Sequence, residues 1–199
     1  MKTLVLILAT ALAAPAARAT PNVGTPAPAF AVRDADGKPV SLAALHGKTV
    51  VLEWTNNGCP FVGHMYASGV MQGLQRKAAA EGVVWLTIVS SAPGQQGYLT
   101  PAEVGSWKAR VGAAPAEVLL DPSGALGHLY DARTTPDMFV IDGAGRLVYA
   151  GAIDDTPSTN PADARAAKNY VALALEDLKA GRPISPAVTK SYGCSVKYR

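Results

Sequence analysis

Two segments are short and almost continuously apolar: Thr49-Val-Val-Leu-Glu-Trp54 and Val83-Val-Trp-Leu-Thr-Ile-Val-Ser90. A strand buried on both faces reads this way, because the polar alternation vanishes when neither face meets water. Val118-Leu-Leu-Asp121 reads as a further strand. Met138 to Asp142 and Arg146 to Gly151 read as two more, joined by Gly143-Ala-Gly145 and so expected as an antiparallel hairpin. After a Pro-rich leader (Pro21 to Pro28), Asp36-Gly37 marks an earlier hairpin between two short strands. Ser41 is placed to cap a helical turn. From about Pro60 to Glu81 the pattern predicts one helix, with Pro60 in its first turn and Gly82 just past its end. Thr100-Pro101-Ala102-Glu103 opens a second helix with a cap, a first-position proline and an acid in the first turn. Ser123 to Tyr130 reads as a short helix, and Ala162 to Leu178 as a final amphipathic one ended by Gly181. From Pro183 onward there is no periodicity. Strand, helix, strand, helix, strand hairpin, helix predicts an α/β fold of three layers around a central mixed sheet. There is no internal repeat and no sign of a second domain.

The first nineteen residues read differently. Lys2 is a positive start, Leu4 to Leu12 are apolar, and Ala17-Arg18-Ala19 is a small-x-small cleavage pattern, so residues 1–19 are expected to be a secretory signal. Their apolar run is shorter than the about twenty residues of a membrane span. Residues 20–182 then form the domain, and 183–199 a tail carrying Cys194. Loss of the signal removes Lys2 and Arg18 and no acid, so the formal net charge of +3 falls to +1. A nearly neutral surface gives no argument for nucleic acid or for an acidic membrane. Export places the chain in the periplasm or outside the cell, where disulfides persist. The two cysteines, Cys59 and Cys194, are then either a structural bridge or a redox pair.

Cys59 stands between a buried strand and a helix start, in Glu53-Trp-Thr-Asn-Asn-Gly-Cys-Pro-Phe-Val62. The first turn of a helix offers free N–H groups and a partial positive charge. A thiolate is favoured there, which makes the sulfur nucleophilic. Gly58 and Pro60 on either side predict an exposed turn rather than a packed, inert cysteine.

These residues carry a resemblance. The strand, its Trp, the Cys-Pro-Phe-Val turn and the following helix resemble the active-site region of the thioredoxin superfamily, with Cys59 at the first cysteine of the Cys-x-x-Cys motif and Val62 at the second. Thr134-Thr135-Pro136 resembles the cis-proline segment of that superfamily, so Pro136 is expected beside the reactive sulfur. Ser90-Ser-Ala-Pro-Gly94, Ala150-Gly-Ala-Ile-Asp-Asp155 and Tyr192-Gly-Cys-Ser-Val-Lys-Tyr198 are similar to segments of exported, peroxiredoxin-like redoxins of the alkyl hydroperoxide reductase/thiol-specific antioxidant family. The resemblance implies a thioredoxin-like fold and thiol-dependent oxidoreductase activity. The substrate it implies is a disulfide-containing protein or a hydroperoxide, with an external thiol as reductant and no cofactor.

The sequence also departs from that pattern. Where peroxiredoxins carry a Pro and then a Thr or Ser ahead of the reacting cysteine, this chain has Leu52 and Asn56, with Thr55 one position away. Their arginine falls near Pro136, and Arg133 is only a neighbour in sequence. With Val62 in the motif, an oxidised Cys59 needs another thiol. Cys194 would supply it by folding back within the chain or across a homodimer, or else it forms a fixed bridge. The resemblance makes Glu53 a buried acid that moves protons at the sulfur, while the strand alone also allows it to point to solvent. His64 reads as a surface helix residue and not as a metal ligand, Asp154 and Asp155 as turn-amide acceptors, and Trp54 as core that also shelters the sulfur. The alternative to an enzyme is a thioredoxin-fold binding module with a permanent Cys59–Cys194 bridge, or one carrying a metal or a protein partner.

Overall fold

The structure, a computed structural model, describes residues 21–199, so the expected signal lies outside the described residues. The Asp36-Gly37 turn joins β1 (Ala31–Arg33) to β2 (Pro39–Ser41), and Asp34 Oδ1 accepts the N–H groups of Asp36 and Lys38 across it. Ser41 Oγ accepts the Ala44 N–H at the head of the 3-10 turn Ala43–Leu45. Then comes β3 (Val50–Trp54), buried at every position as its apolar run requires.

The helix expected over 60–81 is two helices, α1 (Pro60–Ala67) and α2 (Val70–Ala80). Gly69 has φ +81°, a left-handed conformation that ends α1, and the Tyr66 carbonyl there accepts both the Gly69 N–H and the Gln72 side chain. The apolar pattern continues through the break, which hides it. After β4 (Val84–Val89) come α3 (Pro101–Val111), β5 (Glu117–Leu120) and α4 (Ala125–Leu129). The two-residue β6 (Thr134–Thr135) precedes β7 (Asp137–Ile141) and β8 (Leu147–Gly151). The last helix is likewise divided, into α5 (Pro161–Ala166) and α6 (Tyr170–Lys179), because Asn169 Oδ1 accepts the Ala172 N–H and caps a new start. The tail, in which no element was expected, adds β9 (Cys194–Ser195).

Among the described residues the central sheet has the order β5-β4-β3-β7-β8, with β3, β4 and β5 parallel and β7 and β8 an antiparallel hairpin. The mixed three-layer α/β fold is therefore thioredoxin-like, as expected. Side chains alternate from β3 into two cores. Val51 points toward Met65, Met71, Trp107 and Val171 of the helices α1, α2, α3 and α6. Val50, Leu52 and Trp54 point the other way, toward Phe30, Leu126 and Tyr130. This arrangement leaves the C-terminal end of β3 at the middle of the sheet edge, feeding directly into α1.

Glu53 is the exception on the helix side of β3, and it is fully buried rather than at the solvent. Its Oε2 accepts from Trp85 Nε1 (2.8 Å), Thr87 Oγ1 (2.9 Å) and Gln75 Nε2 (3.1 Å), and its Oε1 from the Tyr66 hydroxyl (3.4 Å). Four donors converging from α1, α2 and β4 tie the layers together. Burial pushes the carboxyl above its ordinary range, and these hydrogen bonds pull it back only in part. A raised folded value means that the native state holds its proton to higher pH than the unfolded chain. Stability contributed by this group is thus full below the ordinary carboxyl range and falls as pH rises through the raised value. Glu53→Gln can keep its oxygen toward the three Oε2 donors and place its amide beside the Tyr66 hydroxyl. Urea midpoints measured from about pH 4 to pH 7 are expected to decline in the natural protein and to decline less steeply in Glu53→Gln. The remaining slope comes from groups such as Asp137, which burial pushes up to about 6. Parallel curves would assign the slope to another group.

Candidate active site

Cys59 is the N-cap of α1, in extended geometry, with Pro60 as the first helical residue. Its carbonyl already accepts the Val62 and Gly63 N–H groups, so the sulfur sits at the turn where the helix begins. The turn before it is built by Asn56, whose Oδ1 accepts the Gly58 N–H (2.8 Å) and whose Nδ2 donates to the Gln96 carbonyl. Gln96 returns a bond to the Gly58 carbonyl, so the Gly-rich loop after β4 clamps this turn. The expected exposure of Cys59 is not met: only 1% of the residue is accessible. What covers it is the tail.

The tail is docked along its length. The Thr189 N–H donates to the Ala150 carbonyl of β8, the Ala150 N–H donates to the Ala187 carbonyl, and the Thr189 hydroxyl accepts the Ala152 N–H. Gly193 has φ +119°, and a Cβ there would collide with the Thr135 carbonyl, so only glycine passes. Cys194 then pairs with Thr135 as β9 lies antiparallel to β6, and the Val196 N–H donates to the Arg133 carbonyl. Thr135 precedes Pro136 through a cis peptide, as the resemblance implied. The Cys59 thiol donates to the Thr135 carbonyl at 3.1 Å. One two-residue strand thus brings Cys59, Cys194 and the Thr135–Pro136 peptide together within a single chain.

The two thiols are not equivalent. Burial pushes Cys59 up, but the Cys194 thiol, the Thr135 side chain and the Cys194 and Val62 N–H groups outweigh it, and Cys59 is held below the ordinary thiol value. Burial and the neighbouring Cys59 push Cys194 up to about 11. Of the two thiols, Cys59 is therefore the more acidic. Cys194 is half-buried and both cysteines are free.

Other expected residues fall elsewhere. Glu53 makes its four hydrogen bonds to Trp85, Thr87, Gln75 and Tyr66, and none to either sulfur. His64 is not on the surface: it is buried against the helix layer, with no protein partner on either ring nitrogen. Trp54 does not shelter the sulfur; it packs in the opposite core against Tyr130 and Phe139, and its Nε1 donates to Ser90. Arg133 is exposed and bonds Asp131, and Thr55 Oγ1 is buried without a protein partner. Asp154 does accept a turn amide, from Thr156, whereas Asp155 accepts the amide of Lys168, thirteen residues on. Sequence reasoning missed that Asp154 also accepts the Tyr192 hydroxyl and that Tyr198 stacks on His128, 4.0 Å between rings. The repeated Tyr in the closing segment was the available signal.

Comparison with known proteins agrees with this geometry. No curated protein matches the sequence. Among solved structures, an uncharacterized conserved protein from Geobacillus kaustophilus superposes with a TM-score of 0.77 at 28% identity, over 89% of this chain and 93% of that one. A hypothetical protein from Sinorhizobium meliloti gives 0.75 at 24% identity, over 91% and 97%. The exposed lipoprotein thioredoxin of Streptococcus pneumoniae gives 0.52 at 26% identity, over 76% and 98%. The Redoxin family model matches residues 22–168. With most of the fold inside that match and the cysteine at the helix start, this chain belongs to the Redoxin family, within the thioredoxin superfamily.

Proposed function

We propose that this redoxin is an exported thiol–disulfide oxidoreductase in which Cys59 is the attacking thiolate and Cys194 the thiol that closes the cycle. The observation that carries the reading is the β6–β9 pairing, which sets two cysteines 135 positions apart on one hydrogen-bonded patch at a helix start. Export is supported by the signal pattern of residues 1–19, and no helix among the described residues is long and apolar enough to cross a membrane.

In the proposed cycle the tail first moves aside, since it covers Cys59. The Cys59 thiolate attacks one sulfur of a substrate disulfide, forming a mixed disulfide and releasing the other substrate sulfur as a thiolate. Cys194, after giving up its proton, attacks the Cys59 sulfur. The second substrate thiolate leaves, and the Cys59–Cys194 disulfide holds the two electrons' worth of oxidation. Two equivalents of an external thiol reverse that bond and reset the enzyme. Disulfide exchange is favoured over hydroperoxide reduction because Arg133 is engaged with Asp131 at the surface, and Thr55 and Asn56 make no hydrogen bond to the sulfur.

Two variants and an alkylation profile separate this cycle from a fixed bridge. Cys59→Ser should abolish reduction of a protein disulfide. Cys194→Ser should still form a stoichiometric mixed disulfide but lose most turnover, because the second step has no attacking thiol. Equal activity of Cys194→Ser and natural protein would remove Cys194 from the cycle, and peroxide-dependent turnover exceeding disulfide turnover would replace the substrate. Alkylation of the reduced protein by iodoacetamide should show Cys59 reacting at half its maximal rate below the ~8.5 of a free cysteine, with its rate falling as pH drops through that value. Cys194 should become reactive only near 11. A single inflection at the free value for both would contradict the proton assignment.

A further inference from the structure

Three of the segments that mark the resemblance, the Cys59–Val62 turn, Ala150–Asp155 and Tyr192–Tyr198, lie far apart in the chain, and the cycle above uses only their two sulfurs. In the structure they meet at Tyr192. This residue is two positions before Cys194. Its ring packs edge-on against Phe61, itself two positions after Cys59, with centroids 5.9 Å apart at 65°. Its hydroxyl donates to Asp154 Oδ1 at 2.5 Å. Asp154 belongs to the Ala150–Asp155 segment and is 2% exposed. The same oxygen accepts the Thr156 N–H at 2.9 Å, and the backbone of Asp154 bridges to Asn169, so the acceptor is fixed from two sides. Beyond Cys194, the Lys197 carbonyl accepts the Ala92 N–H from the Ser90–Gly94 segment, and the Tyr198 hydroxyl donates to the Ala132 carbonyl.

Cys194 is thereby held between two points. On its C-terminal side the hold is mostly backbone pairing. On its N-terminal side, Gly193 has neither a side chain nor an ordinary φ to fix the path, so the direction of approach to Cys59 is set by Tyr192. We propose that the Tyr192–Asp154 hydrogen bond is the latch that positions Cys194 against Cys59, with Tyr192 and Asp154 as positioning residues of the redox couple. The inference rests on that couple. It assigns a task to a tyrosine and an aspartate that touch neither sulfur. The rest of the tail would stay docked without the latch, because Thr189 on β8, β9 on β6 and Tyr198 on Ala132 do not depend on it. A carboxylate-accepted hydrogen bond is among the stronger ones, enough to change an equilibrium about tenfold or more.

The test is the equilibrium of the full chain with mixtures of reduced and oxidised glutathione, read by mass spectrometry after acid quenching. The ratio at which half the protein carries the internal disulfide gives the effective concentration of the two thiols. Tyr192→Phe keeps the ring on Phe61 and loses only the hydroxyl; Asp154→Ala removes the oxygen that accepts it. Each variant is expected to lower the effective concentration about tenfold, and the double variant no further than either alone. Amide exchange of Cys194 and Val196 should stay near that of the natural protein, which a general loosening of the tail would not allow. Unchanged effective concentration in both single variants, with the internal disulfide forming normally, overturns the latch and leaves the couple standing. Additive losses in the double variant also overturn it, since the two residues would then act separately. If the natural protein forms no internal disulfide at any glutathione ratio, the couple fails, and the latch with it.

Discussion

Two extended residues of the tail, Cys194 and Ser195, pair with Thr134 and Thr135, and most of what is distinctive in this molecule depends on that short ladder. It completes a dithiol that the helix start alone cannot provide, since Val62 occupies the position a turn later where a second sulfur would be close. It also closes Cys59 from solvent and brings the Cys194 N–H toward the sulfur. A ladder this short has little strength of its own. It holds because Gly193 lets the chain pass against the Thr135 carbonyl and because Thr189 and Tyr198 anchor the tail on either side.

The asymmetry of the two thiols follows from the same contact. A buried sulfur is ordinarily a poor thiolate, because burial disfavours the charged form. Here a donor thiol and two N–H groups face it, and the balance tips toward ionisation while the donor becomes a weaker acid. A more acidic sulfur to attack first and a less acidic one that keeps its proton until the first bond has formed suit the two steps of the proposed exchange. Glu53 stands one step removed. Its hydrogen bonds join the helices to β4 and make the platform rigid without reaching a sulfur.

Much of this was legible in the sequence, and the reasons for what was not are physical. The apolar runs at β3 and β4, the Gly143–Gly145 hairpin and the Cys59-Pro60 helix start each express a local rule, and each appears in place. The breaks at Gly69 and Asn169 escaped because the apolar face runs on through both, and a single residue's backbone angle or cap decides the outcome. The tail escaped because backbone bonds and one glycine contact dock it, and neither leaves a periodic trace. His64 was misplaced at the surface and Glu53 left open for a related reason. A polar residue's burial depends on distant partners, such as Trp85 and Gln75 for Glu53, which no local window contains. Exposure of Cys59 was misjudged because the covering strand comes from the other end of the chain.

The central claim is that Cys59 and Cys194 interconvert as one redox pair within a single chain. Its most direct measurement is the carbon-13 shift of both cysteine Cβ atoms followed by NMR as oxidised dithiothreitol is added to the reduced protein. The account predicts that both signals leave the thiol range together, at the same oxidant ratio and at a protein concentration that keeps the chain monomeric, and that they return together on reduction. One signal moving without the other, or a pair already fixed in the disulfide range that no mild reductant moves, would contradict it.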